Sequence, residues 1–452
     1  MLALAGGVGL LLLVSSHAAE EMNVILITVD TLRADHLGVY GYTRQTSPNV
    51  DRFASVSTLF RYAFSHAAST NPSFGSLMTS YYPHETKVLS VKHLLPPGAP
   101  TLAAILKANG YQTAAIVSHF SLRRGSGFEQ GFDVYDDQMD DLIEGPTTGS
   151  TAVVRKERVA PKTTLAAVKW LEGHHKKKFF LWVHYDDPHG PYVPPPPYNT
   201  MFIDRPTLGK RALPVRAAGK GGIPSYQILG DHREPEYYIA QYDGEIRFFD
   251  QAFGDLIKKI QELRLLDNSL VLFTSDHGES MGEHDYYVSH GGGNLYNDQI
   301  HVPLVVRFPR QAPGAKEIRY PVAHVDVLPT ILETASVRVP SGVRGRSLLS
   351  DAKDRAVLVE QFRHGKYAVI TNGMKLIQAT TGSELYDLQK DFAEHVDLMN
   401  GQRAVGAVPQ AAALKNTLDA LRQLDALRLG PPTMWTKGSA IHKEFRALGY
   451  VQ

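Results

Sequence analysis

Cysteine is absent from all 452 residues. That excludes disulfides, thiolate metal sites and cysteine nucleophiles, and it leaves the redox compartment undecided. An excess of charge is missing too. With a net charge of +1, nothing in the overall electrostatics calls for nucleic acid or an anionic membrane surface as partner. The one basic run, Lys176-Lys177-Lys178, reads as a solvated turn between a helical pattern and a strand. Internal repeats are not found. The longest apolar run, Leu2 to Val14, is too short to span a bilayer comfortably.

What is present is enough for a large core: 43% of residues are hydrophobic and 21% charged, which suits one big domain with a smaller one beside it. Residues 1–20 read as a signal peptide or N-terminal anchor. Ser15-Ser16-His17-Ala18-Ala19 follows the apolar run with small residues spaced for cleavage after Ala18 or Ala19. The basic start of a leader is lacking. The expectation is an exported protein, periplasmic or extracellular, with a retained membrane anchor as the alternative.

From Asn23 strands and helices alternate. Val24 to Val29 is a continuous β-branched run ending at Asp30, as in a strand buried on both faces of a parallel sheet. Similar runs are Thr113 to Val117, Phe179 to His184, Leu270 to Ser275 and Val302 to Val306. Between them Ser47-Pro48-Asn49 opens a short helix, and helices are predicted over Leu102 to Ala108, Thr163 to Leu171 and Tyr237 to Leu263. The rhythm predicts an α/β fold, a large mostly parallel sheet flanked by helices, over residues 21–337. Pro194 to Pro235 lacks periodicity and reads as a surface excursion near the mouth of a site. Residues 338–452 read as a small C-terminal α+β subdomain, with short strands at 356–360, 367–371 and 375–378 and an amphipathic helix at 411–427.

Polar groups gather where strands end, which is where open α/β sheets bind ligands. Asp30 ends the first strand, Asp276-His277 end the strand at 270–275, and His184 and His189 lie at and just past the strand at 179–184. Asp and His are natural ligands of a divalent cation. Each alone reads equally as a strand-end cap or a satisfied buried histidine.

Several ordered segments carry a family resemblance. Asn23 to Gly41 (NVILITVDTLRADHLGVYG), His184 to Tyr192 (HYDDPHGPY), Ser275 to Glu279 (SDHGE), Val302-Pro303-Leu304 and the late Glu384-Leu385-Tyr386-Asp387-Leu388 with Asp391 and Glu394 resemble the sulfatase family of the alkaline-phosphatase superfamily. The resemblance implies the sulfatase-like α/β fold and one divalent metal ion (Ca²⁺, Mg²⁺ or Mn²⁺) held by Asp30, Asp276 and His277, with the nucleophile Thr70 as a further ligand. Thr70-Asn71-Pro72-Ser73-Phe74 resembles the family's Cys/Ser-x-Pro-Ser-Arg motif with two departures. Thr70 stands where the family's residue is oxidised to formylglycine, and Phe74 stands where Arg helps hold it. No formylglycine is expected, because Ser69 and Ser73 are out of register with Pro72.

Local chemistry adds its own argument for Thr70. Asn71 is expected to cap a helix that Pro72 begins, which sets Thr70 just ahead of a helix N-terminus that favours a bound oxyanion. A threonine has one oxygen, whereas a formylglycine hydrate uses a second hydroxyl to expel sulfate. Similar superfamily branches with a Thr nucleophile act on phosphate monoesters or diesters or transfer phosphoryl groups. The family's Gly-Lys-Trp-His segment has no counterpart after Gly110-Tyr111-Gln112-Thr113, where Val117-Ser118-His119-Phe120 lacks the lysine and carries its histidine one place off.

His189 and His290 remain as candidates for oxyanion binding and leaving-group protonation. Gly291 to Gly293 would let backbone approach a ligand closely. Glu279 is the expected outer partner of a ligand histidine. Asp35, Tyr40, Pro83, His284 and His301 are read as serving the fold, and no second metal cluster is found.

Two readings stay open. One is a hydrolase cleaving sulfate or phosphate esters, phosphodiesters included, through Thr70, on a small-molecule, glycan or lipid-headgroup ester, with a phosphoryl transferase as a variant. The other is a catalytically silent protein binding sulfated or phosphorylated glycans.

Overall fold

The computed structural model describes residues 22–148, 151–204, 212–217, 219–291, 293–312, 314–351, 353–400, 404–439, 441 and 445. The expected leader at 1–20 lies outside them. No helix among the described residues is long and apolar enough to cross a membrane.

In chain order the elements used below are β1 (Asn23–Val29), α1 (Pro48–Ala54), β2 (Thr58–Phe60), α2 (Thr70–Thr79), α3 (Leu102–Ala108), β3 (Gln112–Val117), β4 (Val134–Asp136), α4 (Ala160–His174), β5 (Phe179–Tyr185), α5 (Pro235–Glu262), β6 (Ser269–Ser275), β7 (Leu304–Arg307), β8 (Lys316–Ile318) and α6 (Val327–Thr334). The C-terminal part adds β9 (Val357–Gln361), β10 (Lys366–Thr371), β11 (Met374–Ala379), β12 (Gly382–Asp387) and α7 (Ala404–Arg422).

The first set forms one eight-stranded sheet in the order β8-β2-β7-β6-β1-β5-β3-β4. β6, β1, β5, β3 and β4 are parallel neighbours, and β7 alone runs against the rest. Every residue of β1, β5 and β6 is buried, as continuous β-branched and aromatic runs require when both faces are covered. Alternation splits them between two cores. Val24 and Leu26 pack with Phe74 and Leu77 of α2, Leu102 and Leu106 of α3 and Ile331 of α6. Ile25, Ile27 and Val29 pack with Phe53 of α1, Leu171 of α4 and Phe249 and Phe253 of α5. Each such side chain removed from water stabilises the fold by about 1.5–3 kcal/mol before entropy is counted.

The excursion at 194–235 contains short pieces, a helix at Tyr198–Met201 and the paired strands Val215–Arg216 and Ile223–Pro224. Beyond residue 337, β9 to β12 form an antiparallel sheet in sequence order. Its fourth strand falls on the Glu384-Leu385-Tyr386-Asp387 motif, which the sequence reading did not place on a strand. Further on, Thr433–Met434 pairs with His93–Leu94, and Phe445 rests on Phe120 with ring centroids 5.3 Å apart.

Candidate metal and nucleophile centre

Strand register builds the centre. Val29 pairs with Ser275, Thr28 with His184, and Val117 with His184. Counting onward past the strand ends puts Asp276, Asp30, Asp186 and His119 on one rung of four adjacent strands, at the carboxyl edge of the sheet. The ladder continues there, with Asp30 N–H donating to the Tyr185 carbonyl at 2.9 Å. The next residue, Thr31, has φ +54°, a conformation that costs a β-branched residue about 1–3 kcal/mol. The surroundings hold it: Thr31 N–H donates to Asp276 Oδ1 at 3.1 Å and its carbonyl accepts the Tyr242 hydroxyl at 2.7 Å.

Two groups of possible ligands share Asp30. Asp30, Asp276 and His277 form one, and Asp30, His119 and Asp186 form the other; within each group the ligand atoms lie within 4.8 Å of one another and all are buried. The second group corrects the expectation that there is no further cluster. It was hidden because residues 119 and 186 come together through register, and spacing along the chain carries no trace of that.

A single hydrogen bond fixes the state of His277. Its Nδ1 lies 2.9 Å from the Gly278 carbonyl, which can only accept, so Nδ1 carries a proton, and with burial favouring the neutral ring Nε2 keeps a lone pair. That nitrogen lies 3.5 Å from Asp276 Oδ2, an oxygen with no hydrogen-bond partner among the described residues. Two acceptors facing each other in a buried site repel unless a cation, or a proton on one of them, lies between them. The residues therefore fit a divalent metal ion. Burial first, and then the Asp30 charge, push the Asp276 carboxyl well above its ordinary pKa. Burial and the neighbouring His290 hold His277 well below its own.

Thr70 is 1% exposed, and its Oγ1 lies 3.5 Å from His277 Nε2. It is the first residue of α2, with Ser69 at the cap position, so the helix starts two residues before Pro72. Asn71 does not cap it. Instead Asn71 Nδ2 donates to the His93 carbonyl at 3.1 Å, and Oδ1 accepts the Ser121 hydroxyl at 2.7 Å. Thr70 still sits among the free N–H groups and positive dipole end of a helix N-terminus. Phe74, one turn on, lies edge-on to His184 and against Trp182, at 4.9 and 5.2 Å between ring centroids, and belongs to the apolar core.

The rings of His119, His189, His290 and His277 form a chain, with successive centroids 5.1, 5.2 and 4.6 Å apart. His189 Nδ1 lies 2.8 Å from the Gly190 carbonyl. His290 Nδ1 lies 3.3 Å from both Glu279 oxygens, and Glu279 also accepts the Tyr192 hydroxyl at 2.9 Å. Glu279 thus orients His290, whereas His277 leans on backbone. Burial lowers the His290 pKa, but the charges of Glu279, Asp30 and Asp276 outweigh it and leave the group above its ordinary value. Gly291, at φ +65°, makes the turn out of this segment, and its carbonyl accepts Gln361 Nε2 at 2.9 Å. His284 stacks on Tyr296 at 3.6 Å, and His301 Nε2 lies 2.9 Å from the Arg61 carbonyl; neither joins a ligand group. His184 Nε2 lies 3.6 Å from Asp30 Oδ2.

Known proteins share this arrangement of chain. The Sulfatase family model matches residues 22–337, and the model for N-sulphoglucosamine sulphohydrolase, C-terminal, matches 282–423. Delta 4,5-hexuronate-2-O-sulfatase of Bacteroides thetaiotaomicron is 25% identical over 428 residues, covering 85% of this chain and 86% of that one. The multifunctional alkaline phosphatase superfamily protein PehA of Trinickia caryophylli is 28% identical over 404 residues, covering 72% and 76%. Among solved structures, the phosphonate monoester hydrolase of Agrobacterium radiobacter superposes with TM-score 0.72 at 20% identity, over 92% of this chain and all of the other. With the family match spanning most of its length, the chain belongs to the sulfatase family and is a hydrolase acting on ester bonds.

Proposed function

We propose that this chain cleaves sulfate or phosphate esters through Thr70, with one divalent ion (Ca²⁺, Mg²⁺ or Mn²⁺) held by Asp30, Asp276, His277 and the Thr70 oxygen. The observation that carries the reading is the Thr70 hydroxyl, buried at a helix N-terminus and 3.5 Å from the lone-pair nitrogen of His277. When bound, the ion supplies the positive charge that polarises the ester and lowers the hydroxyl's pKa. Thr70 gives up its hydroxyl proton to solvent as Oγ1 attacks the sulfur or phosphorus, and the bond to the alcohol oxygen breaks. His290, held by Glu279, donates a proton to that oxygen. His189 lies beside it to orient the oxyanion. Thr70 has no second hydroxyl, so the ester formed on it is released by water or passed to an acceptor alcohol.

Relatives named as sulfatases support sulfate esters, and the single oxygen of Thr70 keeps phosphate esters as the second class. Suitable substrates are sulfated or phosphorylated small molecules and glycans, with lipid-headgroup esters as a further class, met outside the cytoplasm if residues 1–20 act as a leader. The test is a turnover panel of aryl sulfate, phosphate monoester, phosphodiester and phosphonate monoester with each of the three ions. Activity that falls by about 10³ or more in both Thr70→Ala and Asp276→Asn is expected. Equal turnover by Thr70→Ala and the native chain would sink the reading.

A further inference from the structure

Two cationic segments from distant parts of the chain are fastened beside the centre. Lys92 precedes His93, whose carbonyl accepts Asn71 Nδ2 at 3.1 Å, one residue past Thr70. The strand Thr433–Met434 pairs with His93–Leu94, and Trp435 N–H donates to the Lys92 carbonyl at 3.3 Å. The backbone that carries Lys92 is thus held on two sides. The second segment is the short turn Phe362–His364 between β9 and β10, which carries Arg363 and His364. It is pinned to the residues that follow His290. Gln361 Nε2 donates to the Gly291 carbonyl at 2.9 Å, and a Cβ added to Gly293 would lie 3.0 Å from the His364 ring. Glu360 N–H also donates to the His66 carbonyl at 2.9 Å, which ties the turn to the segment leading to Thr70.

We propose that Lys92 and Arg363, with His364 beside them, receive a second anionic group carried on the alcohol part of the ester. The inference rests on the reading of Thr70 and its neighbours as the reaction centre. Arg363 and His364 are exposed and Lys92 is half-buried. None of the three pairs with a carboxylate among the described residues, and the charges that act on Lys92 and His364 are cations. Burial and then the Arg363 charge hold Lys92 below its ordinary pKa; burial, Arg363 and Lys366 do the same to His364. Like charges brought together without a counter-charge repel. An anion between them removes that cost and gains charge-assisted hydrogen bonds.

Position decides which end of the substrate meets these groups. The transferred sulfuryl or phosphoryl group stays with Thr70, whereas the alcohol oxygen faces His290, its proton donor. The turn bearing Arg363 is joined to Gly291 and Gly293, just past that histidine, so the alcohol part extends toward it. An ester with a single anion leaves Lys92 and Arg363 unmatched. One whose alcohol carries a further sulfate, phosphate or carboxylate meets positive charge at both ends.

The experiment measures kcat/KM for 3-carboxyphenyl and 3-carbamoylphenyl phosphate and for the matching sulfates. A second pair, 3-sulfophenyl and 3-sulfamoylphenyl esters, distinguishes a sulfate-like partner from a carboxylate. The readout is the ratio of the anionic ester to its amide in the native chain, Lys92→Gln and Arg363→Gln, since a general loss of folded centre cancels in it. In at least one pair the ratio should fall by about fivefold or more in each variant, equivalent to about 1 kcal/mol. It should also shrink as ionic strength rises from about 0.02 to about 0.2 M, and Lys92→Arg should preserve it. A ratio that either Gln variant leaves unchanged in both pairs overturns the proposal. Should no ester be turned over, the Thr70 reading fails separately. Calorimetry with benzene-1,3-disulfonate then decides the subsite: saturable binding that the double Gln variant loses supports it, and binding that this variant retains, or none at all, overturns it.

Discussion

His277 and His189 each donate Nδ1–H to the carbonyl of the following residue, which leaves Nε2 as a base pointing away from the backbone. His290 differs, because its Nδ1 meets the Glu279 carboxylate. A carboxylate partner favours the imidazolium, so His290 is held above the ordinary histidine pKa, whereas His277 is held below it. An acid must be protonated to act, so the rate should fall as pH rises through the His290 pKa. Glu279→Gln removes the raising charge and should move that alkaline limb of kcat/KM down by about one pH unit. A limb that stays in place would remove His290 from the acid role. At this scale the sequence was legible for residues that end a strand inside a recognisable motif, such as Asp30, Asp276 and His277. His119 and Asp186 were not, since what joins them is a ladder register that no local pattern encodes.

Helix α2 depends on more than its own capping. Ser73, one turn after Thr70, donates to the Asp276 carbonyl at 2.5 Å and accepts from Ser65 Oγ at 3.0 Å. Its hydroxyl proton being committed there, the contact to His324 Nδ1 at 3.1 Å has the imidazole as donor. The helix that begins with Thr70, the proposed nucleophile, is thereby tied to the peptide joining Asp276 and His277, the proposed ligands. Ser73→Ala should lower kcat by about 10- to 100-fold with KM little changed, since a shift of an ångström is enough to misalign Thr70. A kcat within twofold of native would show that the tie is only structural. The helix α1 is capped from afar as well: Asp250 of α5 accepts the backbone N–H groups of Asn49 and Val50. The sequence reading found α1 and α2 from their start signals, Ser47-Pro48-Asn49 and Asn71-Pro72, and α5 from its periodic apolar face. It misplaced the start of α2, because Asn71 was drawn to Ser121 and His93, partners distant in sequence.

His66 ties the C-terminal sheet to the turn that precedes α6. Its Nδ1 donates to the Leu358 carbonyl of β9 at 2.6 Å, and its Nε2 accepts the Val325 N–H at 3.3 Å, close before α6. Burial depresses its pKa to about 4. A depressed histidine contributes stability that is present above pH 6.5 and is lost as pH falls through the folded value near 4. The loss amounts to as much as about 3 kcal/mol over that window. His66→Gln should therefore flatten the fall in thermal midpoint between pH 7 and 4; an unchanged slope would place acid sensitivity in other groups. The large sheet and its parallel core were legible because continuous apolar runs have few other uses. The reversed strand β7 and the fourth small strand β12 were not, because strand direction and pairing are decided by partners. The rung of Asp276, Asp30, Asp186 and His119 crosses four adjacent strands. Its spacing is set by hydrogen-bond register and is indifferent to how much chain runs between the contributors. Loops joining these strands can lengthen, shrink or be exchanged and leave the donors in step, while a slip of one residue in any strand turns its donor to the opposite face.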